Sequence, residues 1–363
     1  MLTAAVFLLV LMSAVLVHEA AHYLHARSVG LPVRAFSIGM GPVIARWTWR
    51  GTEFRLSLLP LGGYVDLPGM APKVGDDGRL EHPDEGLAVR PLHHKLWVLV
   101  GGVVANYGLG IVLLATAVVL APGYREVVTG QPAEVRGAVV VAVSDGSVAQ
   151  RLGVAAGDRL VAIGDALDPT PSAAVEAIRG AEGTLVLVLQ DDAGERRTLR
   201  TEWPPADVQA GERPLLGVQL APLEVTPVAF GTALAESAGF GLRLFPELVA
   251  GFARGFGAAL TGRPNADVAG PVGMVTLVGQ AAQVGVAPVV LLAALINFSL
   301  AVFNLLPIPG LDGGRMLLAT VVALRGRPFR PGQEEALHFI GIAAVILLIV
   351  VITVQELGGL LFG

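Results

Sequence analysis

MLTAAVFLLVLMSAVLVHEAAHYL, residues 1–24, decides how the rest of this chain is read. From Leu2 to Val17 only Thr3 and Ser13 are polar. About 20 apolar residues in a helix cross a bilayer. Yet His18, Glu19 and His22 stand near the far end and spell H-E-x-x-H. An ionisable side chain in such a helix costs roughly 2.5–3.5 kcal/mol at the bilayer centre, and less near an interface. Two readings follow. The plain one is that the three groups mark where the helix leaves the lipid. The chemical one starts from spacing. His18 and His22 are one helical turn apart and share a face, so two imidazoles can meet one metal ion. Glu19 lies beside them, where a carboxylate can take a proton from a metal-activated water. The run also resembles a signal peptide in position. It lacks a basic start and a small-x-small cleavage site, and a discarded segment would not need the three polar groups.

The composition fits a chain built for lipid. Of 363 residues, 53% are hydrophobic and only 15% charged, against roughly 25% charged in ordinary soluble domains. The net charge of −5 and the lack of any Lys/Arg run exclude a polycationic surface, so no nucleic-acid partner is expected. With no cysteine, a metal must be held by His, Asp and Glu. Three more apolar runs cover residues 96–121, 286–306 and 339–354, the last being marginal in length. Basic residues gather between the first two runs, from Arg27 to Lys95, and at Arg325, Arg327 and Arg330. By the positive-inside rule those loops are cytoplasmic, and residues 122–285 lie outside with both termini.

Asn304-Leu305-Leu306-Pro307-Ile308-Pro309-Gly310-Leu311-Asp312-Gly313-Gly314 ends the third run. Two prolines stop a regular helix, and the glycines permit unusual backbone angles. Irregular backbone at membrane depth must be buried in protein or line a cavity. Asp312 sits there and offers an oxygen ligand to complete a His-His-Asp set with an open fourth position. By charge topology both motifs end on the same side. Of the other candidates for a third ligand, His25 is three residues beyond His22. The longer pattern H-E-x-x-H-x-x-G-x-x-H fails, because Ser28 stands where its last His would be.

H-E-x-x-H in the first span with N-x-x-P-x-P-x-L-D-G-G in a later one resembles the site-2 protease family of intramembrane zinc metalloproteases. Several expectations follow from that resemblance. His18, His22 and Asp312 would hold one Zn2+ per chain, Glu19 would be the catalytic base, and Asn304 would hold substrate backbone. The substrates would be membrane proteins with a transmembrane segment, such as anti-sigma factors or signal-peptide remnants, cut in regulated intramembrane proteolysis. The location would be the plasma membrane of a bacterial-type cell, with the active site toward the cytoplasm.

Between the first two spans, Arg34–Ile44, Ala45–Trp49 and Glu53–Leu59 read as strands with a turn at Arg50-Gly51-Thr52. In the family such a segment is a membrane-associated β-hairpin. It either offers an edge to an unwound substrate or only packs on the helices. Lys73, Asp76, Asp77, Glu81 and Asp84 suggest a solvated connection after it. Val-rich runs at Gly137–Val143 and Thr184–Gln190, a helix over Thr170–Gly180 and the stretch Leu152–Ile163 resemble a PDZ domain. A PDZ domain binds an extended peptide by strand addition, and the plainer reading is a β-rich domain without that ability. Phe230–Phe256 is apolar with Glu236, Arg243, Glu247 and Arg254 interspersed. It reads as an amphipathic helix at the outer surface, with a fifth span as the alternative. The Gly270-Pro271-Val272-Gly273 element has no assigned chemistry.

The expected fold class is therefore a polytopic α-helical membrane protein of about four transmembrane helices. It carries a membrane-associated β-hairpin and one inserted extracytoplasmic PDZ-like α/β domain. The expected domains are 1–121 (N-terminal membrane half), 122–205 (PDZ-like), 206–285 (amphipathic linker) and 286–363 (C-terminal membrane half). The expected activity is intramembrane peptide-bond hydrolysis. Two other readings are an inactive membrane scaffold recruiting partners through the PDZ-like domain, and a metal transporter. The intact set of four polar groups argues against a scaffold, and the lack of an inverted repeat argues against a transporter.

Overall fold

The computed structural model describes residues 2–70, 73–74, 80–81, 83–131, 135–205, 215–261 and 269–362. Asp76 and Asp77 of the expected solvated connection lie outside them. The chain forms two units, Met1–Leu120 with Phe230–Gly363, and Ala121–Ala229.

In chain order the first unit opens with α1 (Leu2–Ser28), β1 (Ala35–Trp49), β2 (Thr52–Asp66), the two-residue strands β3 (Lys73–Val74) and β4 (Leu80–Glu81), and α2 (Leu92–Leu120). The second unit holds α3 (Arg125–Thr129), β5 (Val135–Val143), α4 (Val148–Arg151), β6 (Arg159–Ile163), β7 (Ala166–Leu167), α5 (Pro171–Gly180), β8 (Gly183–Gln190), β9 (Arg196–Trp203) and β10 (Val218–Val225). The chain then returns to the first unit with α6 (Phe230–Thr261), α7 (Pro271–Val284), α8 (Val286–Leu305), α9 (Asp312–Arg325) and α10 (Gln333–Phe362).

Among the described residues, four helices are long and apolar enough to cross a membrane: Thr3–Ser28, Leu92–Leu120, Val286–Leu305 and Gln333–Gly358. The last is much longer than the run 339–354 that marks it in the sequence. Gln333, Glu334 and Glu335 are helical too. They are good helix formers, and acidic groups suit a helix N-terminus.

Small residues let the helices approach. Lipid gives no hydrophobic drive for helix association, so close van der Waals contact has to supply it. Gly110 of α2 admits the Phe298 ring of α8, where an added methyl would sit 2.9 Å from it. Ala293, Ala294 and Ala301 of α8 are buried. The helix α6 packs on α2 and α8, with Gly241 against Tyr107 and Phe298 and with Phe252 and Phe256 on Phe303.

β1 and β2 are longer than the expected strands, 15 residues each. Arg50 (φ 48°) and Gly51 (φ 78°) form a two-residue turn, with Trp49 opposite Thr52. Positive φ at both positions is the geometry that matches strand twist. Both strands bend at glycines with positive φ, Gly39 and Gly41 in one and Gly62 in the other. The bends let Ala35–Ile38 pair with Glu53–Leu56 on one side and with Gly63–Asp66 on the other. Gly63–Asp66 is thus an outer row, and β2 packs against α1. Tyr23, Leu31, Val33, Phe36, Leu67 and Val98 form the buried cluster where α1 meets the hairpin.

In the second unit the strand order is β10-β5-β6-β8-β9, all antiparallel, with β7 beside β6. Along β8, Leu185, Leu187 and Leu189 are buried while their neighbours are partly exposed, the period of two expected of a half-buried strand. Thr170 caps α5 by accepting from the Ala173 amide. Buried Asp158 accepts from the Ala155 amide and pairs with Arg197 of β9.

Candidate metal centre

α1 presents His18 and His22 on one face, both about nine-tenths buried. α9 brings Asp312 to them. The His18 and His22 Nε2 atoms are 3.1 Å apart, and Asp312 Oδ2 lies 3.1 Å from the first and 3.2 Å from the second. Three donors thus form a nearly equilateral triangle. A tetrahedral ion bound at about 2.0–2.1 Å needs its donors about 3.3 Å apart. The triangle fits such an ion with only a slight opening. Among the described residues this is the one group of three or more His, Asp and Glu side chains that converge in this way.

The proton positions on the imidazoles support the fit. His22 Nδ1 lies 2.8 Å from the Val98 carbonyl oxygen. A carbonyl only accepts, so Nδ1 carries the proton and Nε2 turns its lone pair to the centre. His18 Nδ1 lies 3.5 Å from the Asn106 amide nitrogen Nδ2. Asn106 is fully buried, and its Oδ1 has no partner. The two ends of an amide have the same shape. Turned so that Oδ1 takes the place of Nδ2, Asn106 would accept the Nδ1–H of His18 and leave that Nε2 free as well. Val98, Gly102 and Asn106 are four residues apart and line one face of α2. Gly102 has to be glycine, because an added methyl would lie 2.5 Å from His18 Cε1 and 2.7 Å from His22 Nε2.

Asp312 is the first residue of α9, not a member of an irregular stretch. The irregular part is shorter, residues 306–311. The glycines there do two different jobs. Gly310 has the expected positive φ, 100°. Gly313 and Gly314 are helical. They are small because methyls there would fall 2.2 Å from the Leu305 oxygen and 2.1 Å from the Ile308 oxygen. Close backbone approach, not unusual dihedrals, accounts for that pair.

Glu19 is half-buried. It lines a narrow cleft with Val15, Ser37, Gly62 and Gly63, against the outer row of the hairpin. A methyl on Gly63 would lie 3.3 Å from Glu19 Cγ. Asn304 is half-buried in the last turn of α8, and no described hydrogen bond joins it to the triangle. His25 stays out. Its Nδ1 bonds the Ala21 carbonyl at 2.7 Å and its ring lies on Trp97. Val98, Gly102 and Asn106 went unread in the sequence, although a lone Asn inside an apolar span is itself a signal.

Two buried histidines and a partly buried carboxylate between apolar helices have the donor chemistry of a membrane-embedded metalloenzyme site. The family model "Peptidase family M50" matches residues 6–348. The chain is 34% identical over 376 residues to a zinc metalloprotease by name, Atu1380 of Agrobacterium fabrum, covering 98% of this chain and 95% of that one. It is 30% identical to the chloroplastic membrane metalloprotease ARASP of Arabidopsis thaliana, over 96% of this chain and 77% of that one. Zinc metalloprotease RasP of Shouchella clausii is 25% identical over 99% of both chains. The chain belongs to peptidase family M50, the site-2 proteases, and is a zinc-dependent membrane metalloprotease.

Proposed function

We propose that this metalloprotease hydrolyses peptide bonds within or beside the transmembrane segments of other membrane proteins. His18, His22 and Asp312 hold one zinc ion per chain, and Glu19 is the catalytic base. The observation that carries the reading is the triangle of donors with Glu19 next in sequence to one of them. Zinc bound there supplies Lewis acidity, which polarises the scissile carbonyl and acidifies water. The chain's own residues do the rest. Glu19 takes a proton from the attacking water and returns it to the leaving amine. Asn304 holds substrate backbone. The outer row Gly63–Asp66 runs past Glu19, so an unwound substrate segment can add to it as a strand and present its carbonyls. An intact helix would keep those carbonyls hydrogen-bonded.

The physiological role in this reading is regulated intramembrane proteolysis of substrates such as anti-sigma factors or signal-peptide remnants. The membrane is the plasma membrane, with the basic loops and the metal centre toward the cytoplasm. The second unit is a PDZ-like domain on the outer side, where it binds an extended peptide. Its run of antiparallel strands with a capped helix, α5, supports that assignment. The expected division into 1–121, 122–205, 206–285 and 286–363 is kept as a proposal, with β10 (Val218–Val225) pairing into the second unit's sheet from within the expected linker.

The test is cleavage of a tagged single-span substrate by the detergent-purified chain, wild type against Glu19→Gln, with bound zinc measured in both. Cleavage by wild type alone with equal zinc supports the assignment. Equal cleavage by both sinks it, and absence of zinc from both favours the scaffold.

A further inference from the structure

The turn that delivers Asp312 has few bonds of its own. Pro307 and Pro309 have no N–H to give. The remaining amides of the turn are used locally, Leu306 to Val302 and Phe303, Ile308 to Leu306, and Leu311 to Ile308. Gly310 differs. Its N–H donates across to α10, to His338 Nδ1 at 2.8 Å. His338 is buried, 9% exposed. Because Nδ1 accepts, its proton is on Nε2, which faces Glu334 Oε1 one turn earlier at 3.7 Å. The next turn of α10 closes on the same backbone. A methyl on Gly341 would fall 1.8 Å from the Pro309 oxygen, and one on Gly310 would lie 2.5 Å from Ile342 Cγ1.

We infer that His338 is a positioning residue for the metal centre: by accepting the Gly310 N–H, the fourth membrane helix fixes the turn that aims Asp312 at His18 and His22. The inference rests on Asp312 being a zinc ligand. α10 contributes no donor to the triangle, so its part in the site is indirect. Gly310 is two residues from Asp312, and its left-handed conformation sets the direction in which α9 starts. Without the imidazole, that half-buried amide loses its acceptor and the turn can relax away from α10. A displacement of the order of 1 Å at a ligand is enough to matter, since the triangle has sides of only 3.1–3.2 Å.

The test compares two amides of similar size in the full-length chain. In His338→Asn the side-chain oxygen falls where Nδ1 was. In His338→Gln the amide falls near the place of Nε2. A role in filling space predicts like behaviour. The acceptor role predicts that Asn keeps zinc affinity near wild type, while Gln and His338→Ala lose about 10–100-fold, as for other groups that orient metal ligands. Affinity is read by chelator competition. The visible spectrum of the cobalt-substituted chain reads the geometry of the centre, and it should change with Gln and not with Asn. Asn and Gln behaving alike, or Ala binding zinc as wild type does, overturns the inference. Asp312→Ala separates the two levels. If it too binds zinc normally, the ligand assignment has failed. If it loses zinc while His338→Gln does not, only the role of His338 has.

Discussion

His22 and Val98 are joined by a 2.8 Å contact between an imidazole nitrogen and a backbone oxygen. α2 therefore decides which nitrogen of His22 faces the metal centre, and with its amide turned so that Oδ1 faces the imidazole, Asn106 would do the same for His18. The second helix supplies no donor to the triangle but orients the imidazole of His22.

Asn106→Leu removes the acceptor for His18 and leaves its volume nearly unchanged. Zinc affinity should fall about 10–100-fold. Asn106→Asp keeps an oxygen in place and should retain most of the affinity. Chelator competition on purified protein checks both. Unchanged affinity in the leucine variant would rule out the role given to Asn106.

Gly102 and Gly108 lie on the same helix with opposite surroundings. A methyl on Gly102 meets both imidazoles, whereas one on Gly108 meets nothing within 4 Å. Gly102→Ala should lose zinc and proteolysis together. Gly108→Ala should be neutral, or stabilising by up to about 1 kcal/mol from helix propensity. Metal analysis and thermal unfolding of the two variants make the comparison.

Zinc bound only by the folded chain must stabilise it. At a free concentration a thousand times Kd the gain is about 4 kcal/mol. Wild type should therefore melt at a lower temperature after chelation and recover on adding zinc. Asp312→Ala should show no such response. A full thermal response in that variant would remove Asp312 from the ligand set.

Glu356 in α10 accepts from the Gly270 and Val272 amides at 2.6 and 3.2 Å, capping α7 from another helix. This gives the Gly-Pro-Val-Gly element a physical purpose, because a methyl on Gly273 would lie 2.5 Å from the carboxylate. Glu356→Ala should cost about 1–3 kcal/mol by leaving two part-buried amides unpaired. Gly273→Ala should be harmful in wild type and much less so beside Glu356→Ala. Unfolding of the two single variants and the double variant measures that coupling, and simple additivity would refute the capping role.

In the second unit, Leu187 is 2% exposed at the centre of β8. Leu187→Ala should cost about 2–5 kcal/mol, a large part of the roughly 5–15 kcal/mol that holds a domain together. Limited proteolysis should then cut within residues 121–229 before the membrane helices.

Three of the four apolar helices were plain in the sequence because each is a long run that lipid demands. The fourth was under-measured because its first turn is acidic. His18, Glu19 and His22 were legible because local spacing on a helix is a sequence property. The meeting of Asp312 with them is not, and it was inferred from a resemblance and a charge rule. The hairpin showed its turn at Arg50-Gly51 but not its doubling into four rows, because that depends on the bends at Gly39, Gly41 and Gly62. Val98 and Gly102 could not be read at all. One acts through its backbone, and the other acts by lacking a side chain. β10 was missed because Pro222 and Glu224 hide the strand pattern of Val218–Val225, which only pairing with β5 reveals.

The two arms of the metal centre lie almost at opposite ends of the chain, His18 and His22 in the first helix and Asp312 beyond residue 300. Chains are made from the N-terminus. On the proposed assignment, a chain made as far as α2 holds two of the three metal donors and Glu19, but not Asp312. Asp312 joins them only when α9 has been made. On that assignment, the order of synthesis withholds the completed set of donors until Asp312 has been made.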